Sequence, residues 1–315
     1  MENMNLLFTS IHNFLLISLP KERKCSKNTV RSYKKSLELF LDFVKRRTGK
    51  PFTALSFEDI DRNTLSEFLE YLEVERCCSA STRNQRLHCI RAFYRYAAQE
   101  DISIVCHLNE IEKVRKAKEP KKLVEHMSEE AVQAIIAQPN TATRNGKRDA
   151  FMMLFLYRTG IRVQELMDIK LTDIRLGGHP SVTVCGKGAK VRSIPLREDT
   201  VKHLKHYLEY FHYGKSMYSN DYLFYTVRNG IEKRMTEDNV RYIVRKYGIS
   251  AKKECLEVPD NVHPHLFRHS LAMSLYQNGV DLSLVSQWLG HSCVETTLIY
   301  AHADTEPKSR IICTQ

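Results

Sequence analysis

Residues 263–300 read HPHLFRHSLAMSLYQNGVDLSLVSQWLGHSCVETTLIY and carry the local signals of three successive short helices. Pro264 suits the first position of a helix, because the backbone N–H that proline lacks would have no partner there. Asp281 can cap a second helix that ends at Gly290, since glycine tolerates the left-handed conformation of a helix stop. Residues 292–295, SCVE, form a capping box for a third helix. The stretch is therefore predicted to be helical to its end.

The polar side chains of this stretch exceed what three packed helices require. His265 and Arg268 are three residues apart and share one helix face. His291 lies just before a helix start, and Tyr300 follows it by nine residues. Taken singly, each has an ordinary explanation as a packed aromatic, a hydrogen-bonded histidine or an ion-paired arginine. Their combination indicates a polar site near the end of the chain.

A second group of candidates lies upstream, in YRTGIRVQEL at residues 157–166. Gly160 separates two helical stretches, and Arg162 stands at the start of the second. A helix N-terminus favours a bound anion, because its free N–H groups and its dipole attract negative charge. The alternative is a surface arginine that pairs with Glu165, one turn later. Glu165 could also orient Arg162 toward a ligand.

The clearest strand pattern runs from Ser181 to Leu196 and predicts a hairpin. Its alternating apolar positions are Val182, Val184, Ile194 and Leu196. Lys187 lies between two glycines near the turn, so its amine can reach a ligand or simply remain in solvent. The segment lacks the GxxxxGK[ST] order of a phosphate-binding loop. Everything after the hairpin is predicted to be helical.

The first hundred residues show helical spacing. Helices are predicted at residues 28–48, at residues 61–75 and from a cap at Ser79 or Ser81. A basic stretch, KVRKAKEPKK at residues 113–122, follows without apolar periodicity. We expect an N-terminal helical domain over 1–112, a basic linker over 113–126 and a second domain over 127–315. The predicted fold is mostly α, with a helical domain followed by a mixed α/β domain that contains a small antiparallel sheet.

Composition narrows the classes of partner. The 315 residues include 48 lysines and arginines against 37 aspartates and glutamates, a formal net charge of +11. This balance favours a polyanionic partner such as nucleic acid, although many basic proteins merely carry solvated lysines. Nine scattered cysteines without a CxxC pair are typical of reduced thiols. No membrane span and no convincing signal peptide are apparent, so a cytoplasmic location is expected.

Five motifs follow one another in the order TGIRVQEL, CGKGAKVRSIPL, HPHLFRH, WLGHS and TTLIYAH. This ordered set resembles the tyrosine recombinase, or phage integrase, family, and its Xer-like branch in particular. The resemblance covers the chain from about Met127 to Ala303. The helical region before it resembles the core-binding, SAM-like domain of that family. The resemblance implies an enzyme that cuts and rejoins DNA.

The position of each candidate in these motifs implies its role. The implied catalytic set is Arg162, Lys187, His265, Arg268, His291 and Tyr300. The chemistry agrees, because arginine forks bind the non-bridging oxygens of a phosphodiester and stay ionised. A tyrosine with an ordinary pKa of about 10 needs a base or a positive field. His265 is the expected base and Lys187 the expected acid.

Two further histidines are expected to lie outside the site. His263 precedes the helix, and His269 is turned about 100° away from Arg268 around the helix axis.

The resemblance also implies the partners. The expected DNA is double-stranded and carries an inverted-repeat core site, on which four protomers would join two duplexes. Strand exchange is expected to pass through a 3′-phosphotyrosine and a Holliday junction, with neither metal nor cofactor. The candidates for phosphate contacts are Arg83 and Arg86 on the third helix and Lys116 and Lys118 in the linker. Mobile-element integration and excision, dimer resolution and DNA inversion stay open as biological roles, as do the target sequence and any accessory protein.

Three other functions fit parts of the pattern. A metal-dependent phosphodiesterase could use His263, His265, His269 and His291 as ligands, although the paired carboxylates of such sites are missing. A DNA-binding protein could keep the recombinase fold without strand transfer. A type IB topoisomerase would share much of the chemistry. Loss of cleavage in a chelator, absence of a covalent adduct and relaxation of supercoils without a specific site would favour these three in turn.

Overall fold

The computed structural model describes residues 5–120, 125–186, 190–290 and 297–300. The chain divides into two compact units, Met1–Lys121 and Lys122–Gln315. A separate hydrophobic core lies in each of them. No helix among the described residues is long and apolar enough to cross a membrane.

Helices build the first unit. Their bounds are Leu6–Asn13 (α1), Phe14–Glu22 (a π-helix), Lys27–Thr48 (α2), Arg62–Val74 (α3), Ala80–Glu100 (α4) and Val105–Glu112 (α5). The three helices predicted from spacing are confirmed as α2, α3 and α4. Asp61 caps α3 by accepting a hydrogen bond from the N–H of Thr64 at 2.7 Å. Ser79, rather than Ser81, caps α4 by accepting one from the N–H of Thr82 at 3.3 Å.

The second unit combines helices with two small sheets. The helices are Glu129–Ala137 (α6), Arg144–Thr159 (α7), Val163–Asp168 (α8), Glu198–Phe211 (α9), Glu237–Ala251 (α10), Pro264–Gln277 (α11) and Leu282–Leu289 (α12). The strands are Ile174–Arg175 (β1), Ser181–Cys185 (β2), Val191–Pro195 (β3), Tyr225–Arg228 (β4) and Ile231–Arg234 (β5). The predicted fold class, a helical domain followed by a mixed α/β domain with a small antiparallel sheet, is confirmed.

The predicted hairpin is confirmed as β2 and β3, which pair antiparallel with Val182 opposite Ile194. The strand β1 pairs with the other edge of β2, so the sheet has the order β1-β2-β3. Val182, Val184, Ile194 and Leu196 are all buried, as the alternation predicts. Lys187, near the turn, lies outside the described residues.

The prediction that only helices follow the first hairpin was wrong. The strands β4 and β5 form a second antiparallel hairpin. Its turn is Asn229-Gly230, where φ is +54° and +75°. An Asn-Gly pair with both residues at positive φ is the preferred two-residue turn of a hairpin, because its twist matches that of the strands.

The end of the chain follows the predicted helices as far as it is described. Pro264 occupies the first turn of α11, Asp281 caps α12, and Gly290 ends α12 in the left-handed conformation. Residues 297–300 are helical, whereas the capping box at 292–295 lies outside the described residues. Ala272, Met273, Val285, Leu289 and Tyr300 form a small buried cluster that packs this last segment against α11 and α12.

Candidate active site

Arg162 is held at the start of α8 by the way α7 ends. Gly160 takes φ of +63° and stops α7, so the chain turns and Arg162 becomes the N-terminal cap of α8. The Arg162 N–H donates to Oε2 of Glu165 at 2.8 Å, and Nη1 donates to Oε1 at 2.9 Å. Nη2 donates to the carbonyl of Gly290 at 3.1 Å. The arginine predicted at a helix start is therefore fixed at that place.

Arg268 reaches the same region from α11. Arg268 is only 4% exposed to solvent. Nη1 donates to the carbonyl of Gly160 at 2.7 Å, and Nη2 donates to that of Leu289 at 2.6 Å. Burial, followed by the positive charge of Arg162, lowers the pKa of Arg268 to about 10. The side chain thus stays charged at neutral pH.

Arg162 and Arg268, the arginine pair, converge at the end of α12. One binds the carbonyl of Gly290 and the other the carbonyl of Leu289, the residue before it. The two positive charges are therefore close together, and an anion that bound between them would relieve their repulsion. This is the arrangement expected of a phosphate site. His291 follows Gly290 directly, but it lies outside the described residues.

Glu165 and Arg192 support the arginine pair, and Arg192 was not among the residues predicted from the sequence. The two oxygens of Glu165 accept hydrogen bonds from Nη1 and Nη2 of Arg192 at 2.9 and 2.8 Å. Burial acts to raise the pKa of Glu165, but hydrogen bonds from Arg192 and Arg162, together with the charge of Arg192, hold it below its ordinary value. Strand alternation could have revealed Arg192, because it shares a strand face with the buried Ile194.

Tyr300 is 0% exposed and lies against α11. Its hydroxyl is 2.8 Å from Nδ1 of His269. Burial raises the pKa of Tyr300, and the positive charge of Arg268 opposes that shift. Burial and the neighbouring His265 and Arg268 lower the pKa of His269 to about 4, so its imidazole is neutral at neutral pH and can accept from the hydroxyl.

His269 is therefore a contact of Tyr300 that was not predicted from the sequence. The expectation that it lies outside the site rested on its angle from Arg268 around α11, which says nothing about where residues 297–300 pack. The expected base, His265, is exposed on the same helix, and its ring centroid lies 6.2 Å from that of His263. Burial of part of the ring, followed by nearby positive charge, lowers the pKa of His265.

Lys187 lies outside the described residues, whereas Gly186, the residue before it, is described. Gly186 donates its N–H to the carbonyl of Lys190 at 2.8 Å and so closes the base of the turn. A Cβ added to Gly186 would lie 3.1 Å from Oε1 of Glu165. The hairpin that carries Lys187 thus begins its turn beside the partner of Arg162.

Comparison with known protein families shows which family the chain belongs to. The model of the phage integrase family matches residues 125–306, and the model of the phage integrase N-terminal SAM-like domain matches residues 18–104. The chain belongs to the phage integrase family. It is a tyrosine-type site-specific recombinase of the Xer-like kind, as the motifs predict.

Curated relatives of the recombinase extend over nearly its whole length. The putative integrase/recombinase y4rC of Sinorhizobium fredii is 33% identical over 93% of this chain and 86% of its own length. Tyrosine recombinase XerC of Staphylococcus epidermidis is 32% identical over 96% of this chain and 95% of its own length.

Solved structures agree in fold. The Tn1549 transposon integrase in complex with transposon right-end DNA has a TM-score of 0.72 at 16% identity, over 96% of this chain and 97% of that one. The XerH recombinase bound to a palindromic difH substrate has a TM-score of 0.71 at 21% identity, over 99% and 89%.

The four predicted DNA contacts of the recombinase differ in their surroundings. Arg83 pairs with Glu73 at 3.1 Å, and Nη1 of Arg86 donates to the hydroxyl of Ser36 at 2.7 Å. Lys116 and Lys118 are exposed. The arginines therefore have partners within the first unit, whereas the lysines extend into solvent.

Metal ligands were the basis of one alternative function. Among the residues that the structure describes, no group of three or more His, Cys, Asp or Glu side chains could hold a metal ion. The rings of His263 and His265 are neighbours, and His269 is engaged with Tyr300. His291, the fourth proposed ligand, is outside this description.

Proposed function

We propose that Tyr300 is the nucleophile of this recombinase and that Arg162 and Arg268 hold the scissile phosphate. One observation carries the proposal. The guanidinium groups of the arginine pair meet at the consecutive carbonyls of Leu289 and Gly290, and the charge of Arg268 acts on the Tyr300 hydroxyl. The pair can bind the non-bridging oxygens of a phosphodiester and stabilise the charge that attack adds to them.

The reaction then follows from the groups around the phosphate. The tyrosine oxygen forms a bond to phosphorus while the bond to the 5′ oxygen breaks. The tyrosine proton passes to a base, with His265 as the candidate, and the leaving 5′ oxygen takes a proton from Lys187. The products are a 3′-phosphotyrosine and a free 5′-hydroxyl. Because Tyr300 is buried against His269 in this structure, the proposal includes a rearrangement on DNA that exposes the hydroxyl.

Resealing reverses these steps with a different strand. The phosphotyrosine retains the energy of the phosphodiester, so a 5′-hydroxyl from a partner duplex can attack it and release the enzyme. No ATP is consumed. His291 is the candidate for a further hydrogen bond to the phosphate during both steps.

The proposed substrate is double-stranded DNA with an inverted-repeat core site, bound by four protomers on two duplexes in the cytoplasm. A dyad in the DNA matches the symmetry of paired protomers, and strands are exchanged through a Holliday junction. Arg83, Arg86, Lys116 and Lys118 are the proposed phosphate contacts that position the duplex. The role of integrating or excising a mobile element, resolving dimers or inverting DNA would follow from where these sites occur.

Trapping the covalent intermediate tests the proposal. The probe is a duplex selected with the Tyr300→Phe protein from a library of randomised inverted repeats, then nicked so that the cleaved fragment diffuses away. The native protein should form an adduct that withstands denaturation, in the presence of a chelator. Tyr300→Phe should form no adduct. Tyr276→Phe, which changes another tyrosine within residues 263–300, should still form it. An adduct with Tyr300→Phe, or cleavage that the chelator abolishes, would contradict the proposal.

A further inference from the structure

Arg192 has no role in the chemistry proposed above, yet it is bound tightly beside the phosphate site. Its fork donates to both oxygens of Glu165, at 2.9 and 2.8 Å, and its Nε donates to the carbonyl of Trp288 at 3.3 Å. The side chain of Arg192 is 16% exposed and that of Glu165 is 3% exposed. A bidentate pair shielded from water to this degree is a strong electrostatic interaction.

The carboxylate of Glu165 is shared between two arginines. Each oxygen accepts one hydrogen bond from Arg192 and one from Arg162, through Nη1 to Oε1 and the backbone N–H to Oε2. If Glu165 faced Arg162 alone, that pair would be formally neutral and would attract a phosphate less. With Arg192 present, the three side chains together retain one positive charge.

Arg192 also joins three elements that carry the candidate catalytic residues. It lies on β3, whose partner β2 leads to Lys187, and it binds Glu165 on α8 and the carbonyl of Trp288 on α12. A Cβ added to Gly290 would lie 2.9 Å from Cδ of Arg192. The hairpin, the start of α8 and the end of α12 are therefore packed around this one side chain.

We propose that Arg192 is a positioning residue for strand cleavage, which neutralises Glu165 and so leaves the charge of Arg162 available to the scissile phosphate. Arg192 acts through Glu165 and touches no reacting atom. The inference rests on the proposed function, because it concerns the same phosphate site. Glu165 fixes the orientation of Arg162, but its carboxylate also cancels the positive charge of Arg162. Arg192 offsets the negative charge of that carboxylate.

A double-mutant cycle with Glu165 tests this inference. Arg192→Gln removes the charge but keeps an amide donor, and it is made in the native chain and in Glu165→Gln. Arg192→Lys keeps the charge without the fork, and Arg175→Ala, an exposed arginine on the same sheet, is the matched control. The single-turnover rate of adduct formation on the selected nicked duplex is measured at saturating protein. DNA affinity and thermal unfolding are measured separately.

In the native chain, Arg192→Gln should slow adduct formation on the order of 100-fold, the scale of a misplaced catalytic group. In the Glu165→Gln chain the same change should have little further effect, because no carboxylate is left to neutralise. Arg192→Lys should lose less than Arg192→Gln, and Arg175→Ala should match the native protein. DNA affinity should stay near the native value, since most binding energy comes from phosphates elsewhere on the duplex.

Two results would overturn the inference. One is an Arg192→Gln protein that forms adduct at the native rate. The other is an equal loss of rate in both backgrounds, which would mean that Arg192 acts independently of Glu165. If Arg192→Gln does not fold, Arg192→Lys decides in its place, by the same comparison with and without Glu165→Gln. Failure of the proposed function is distinct, because the native protein itself would then form no adduct that depends on Tyr300.

Discussion

At the scale of the residue, the arginine pair is stabilised by the ends of helices. Arg268 donates to the carbonyl of Gly160 at the end of α7 and to that of Leu289 at the end of α12. The C-terminus of a helix carries partial negative charge, which favours a cation there. Burial and repulsion by Arg162 lower the pKa of Arg268, the negative charge of Glu165 opposes them, and the pKa stays at about 10.

The low pKa of His269 predicts a pH dependence of stability. The folded protein holds this pKa at about 4, below its ordinary value of 6.5, chiefly through burial. Between these values the unfolded chain binds more protons than the folded one, so stability falls as the pH is lowered through this window. The slope from one such group is at most about 1.4 kcal/mol per pH unit. The effect fades as the pH rises above the ordinary pKa of 6.5, because the imidazole is then neutral in both states.

His269→Asn isolates this contribution. The asparagine Oδ1 can accept from the Tyr300 hydroxyl in place of Nδ1, but it does not titrate. Urea unfolding at a series of pH values from about 7 to about 4 should show that the native protein loses stability faster than His269→Asn. Parallel curves for the two proteins would mean that His269 is protonated as readily in the folded state as in the unfolded one.

Single residues differ in how far the sequence predicts their place. The convergence of Arg162 and Arg268 follows from their motifs, but the position of His269 does not. A histidine one residue after Arg268 lies on a neighbouring face of α11, and only the packing of residues 297–300 decides which face meets Tyr300. Arg192 was missed for another reason: its partner Glu165 is 27 residues away in sequence.

At the scale of the element, the junction between α7 and α8 depends on Gly160. Its φ of +63° is one that side chains with a Cβ rarely adopt, and an added Cβ would lie 2.9 Å from both Leu271 and Leu289. Gly279, after α11, has φ of +80° but nothing within 4 Å of an added Cβ. Substitution of Gly279 therefore introduces backbone strain alone, whereas substitution of Gly160 introduces both strain and crowding.

Alanine at these two positions should have unequal effects. Gly279→Ala should lower the free energy of unfolding by about 1 kcal/mol, the usual cost of strain at a positive φ. Gly160→Ala should cost about 1–3 kcal/mol more, because crowding adds to the strain and displaces α11 and α12. Denaturant unfolding of each variant gives both values. Equal losses would show that the leucines beside Gly160 yield without cost.

Elements with strong local signals are the ones that the sequence predicts. The caps at Asp61, Ser79 and Asp281 each begin a helix where expected, because a side-chain acceptor for free N–H groups is a local interaction. The second hairpin was missed because β4 and β5 have only four residues each and most of those are exposed or only partly buried, so any alternation of apolar and polar residues is too short to stand out. Its turn was the stronger signal.

At the scale of the whole molecule, the start of the basic linker is fixed on the first unit. The side chain of Asn84 accepts from the N–H of Ala117 and donates to its carbonyl, both at 2.9 Å. Lys116 and Lys118 flank Ala117 and are exposed. Composition predicts a polyanionic partner for the chain as a whole, and these backbone contacts show how the stretch that carries the two lysines is held in place.

Removal of these two charges should change how salt affects DNA binding. Each lysine that contacts a phosphate releases condensed counterions, which adds about 0.9 to the slope of log affinity against log salt concentration. The double variant Lys116→Ala/Lys118→Ala should therefore bind the selected duplex more weakly and reduce that slope by about 2. Fluorescence anisotropy over a range of salt concentrations measures both quantities.

Lys116→Arg/Lys118→Arg keeps the charge and should retain the native slope. An unchanged slope in the alanine variant would place both lysines away from the DNA, and an altered slope in the arginine variant would show that the contacts depend on more than charge.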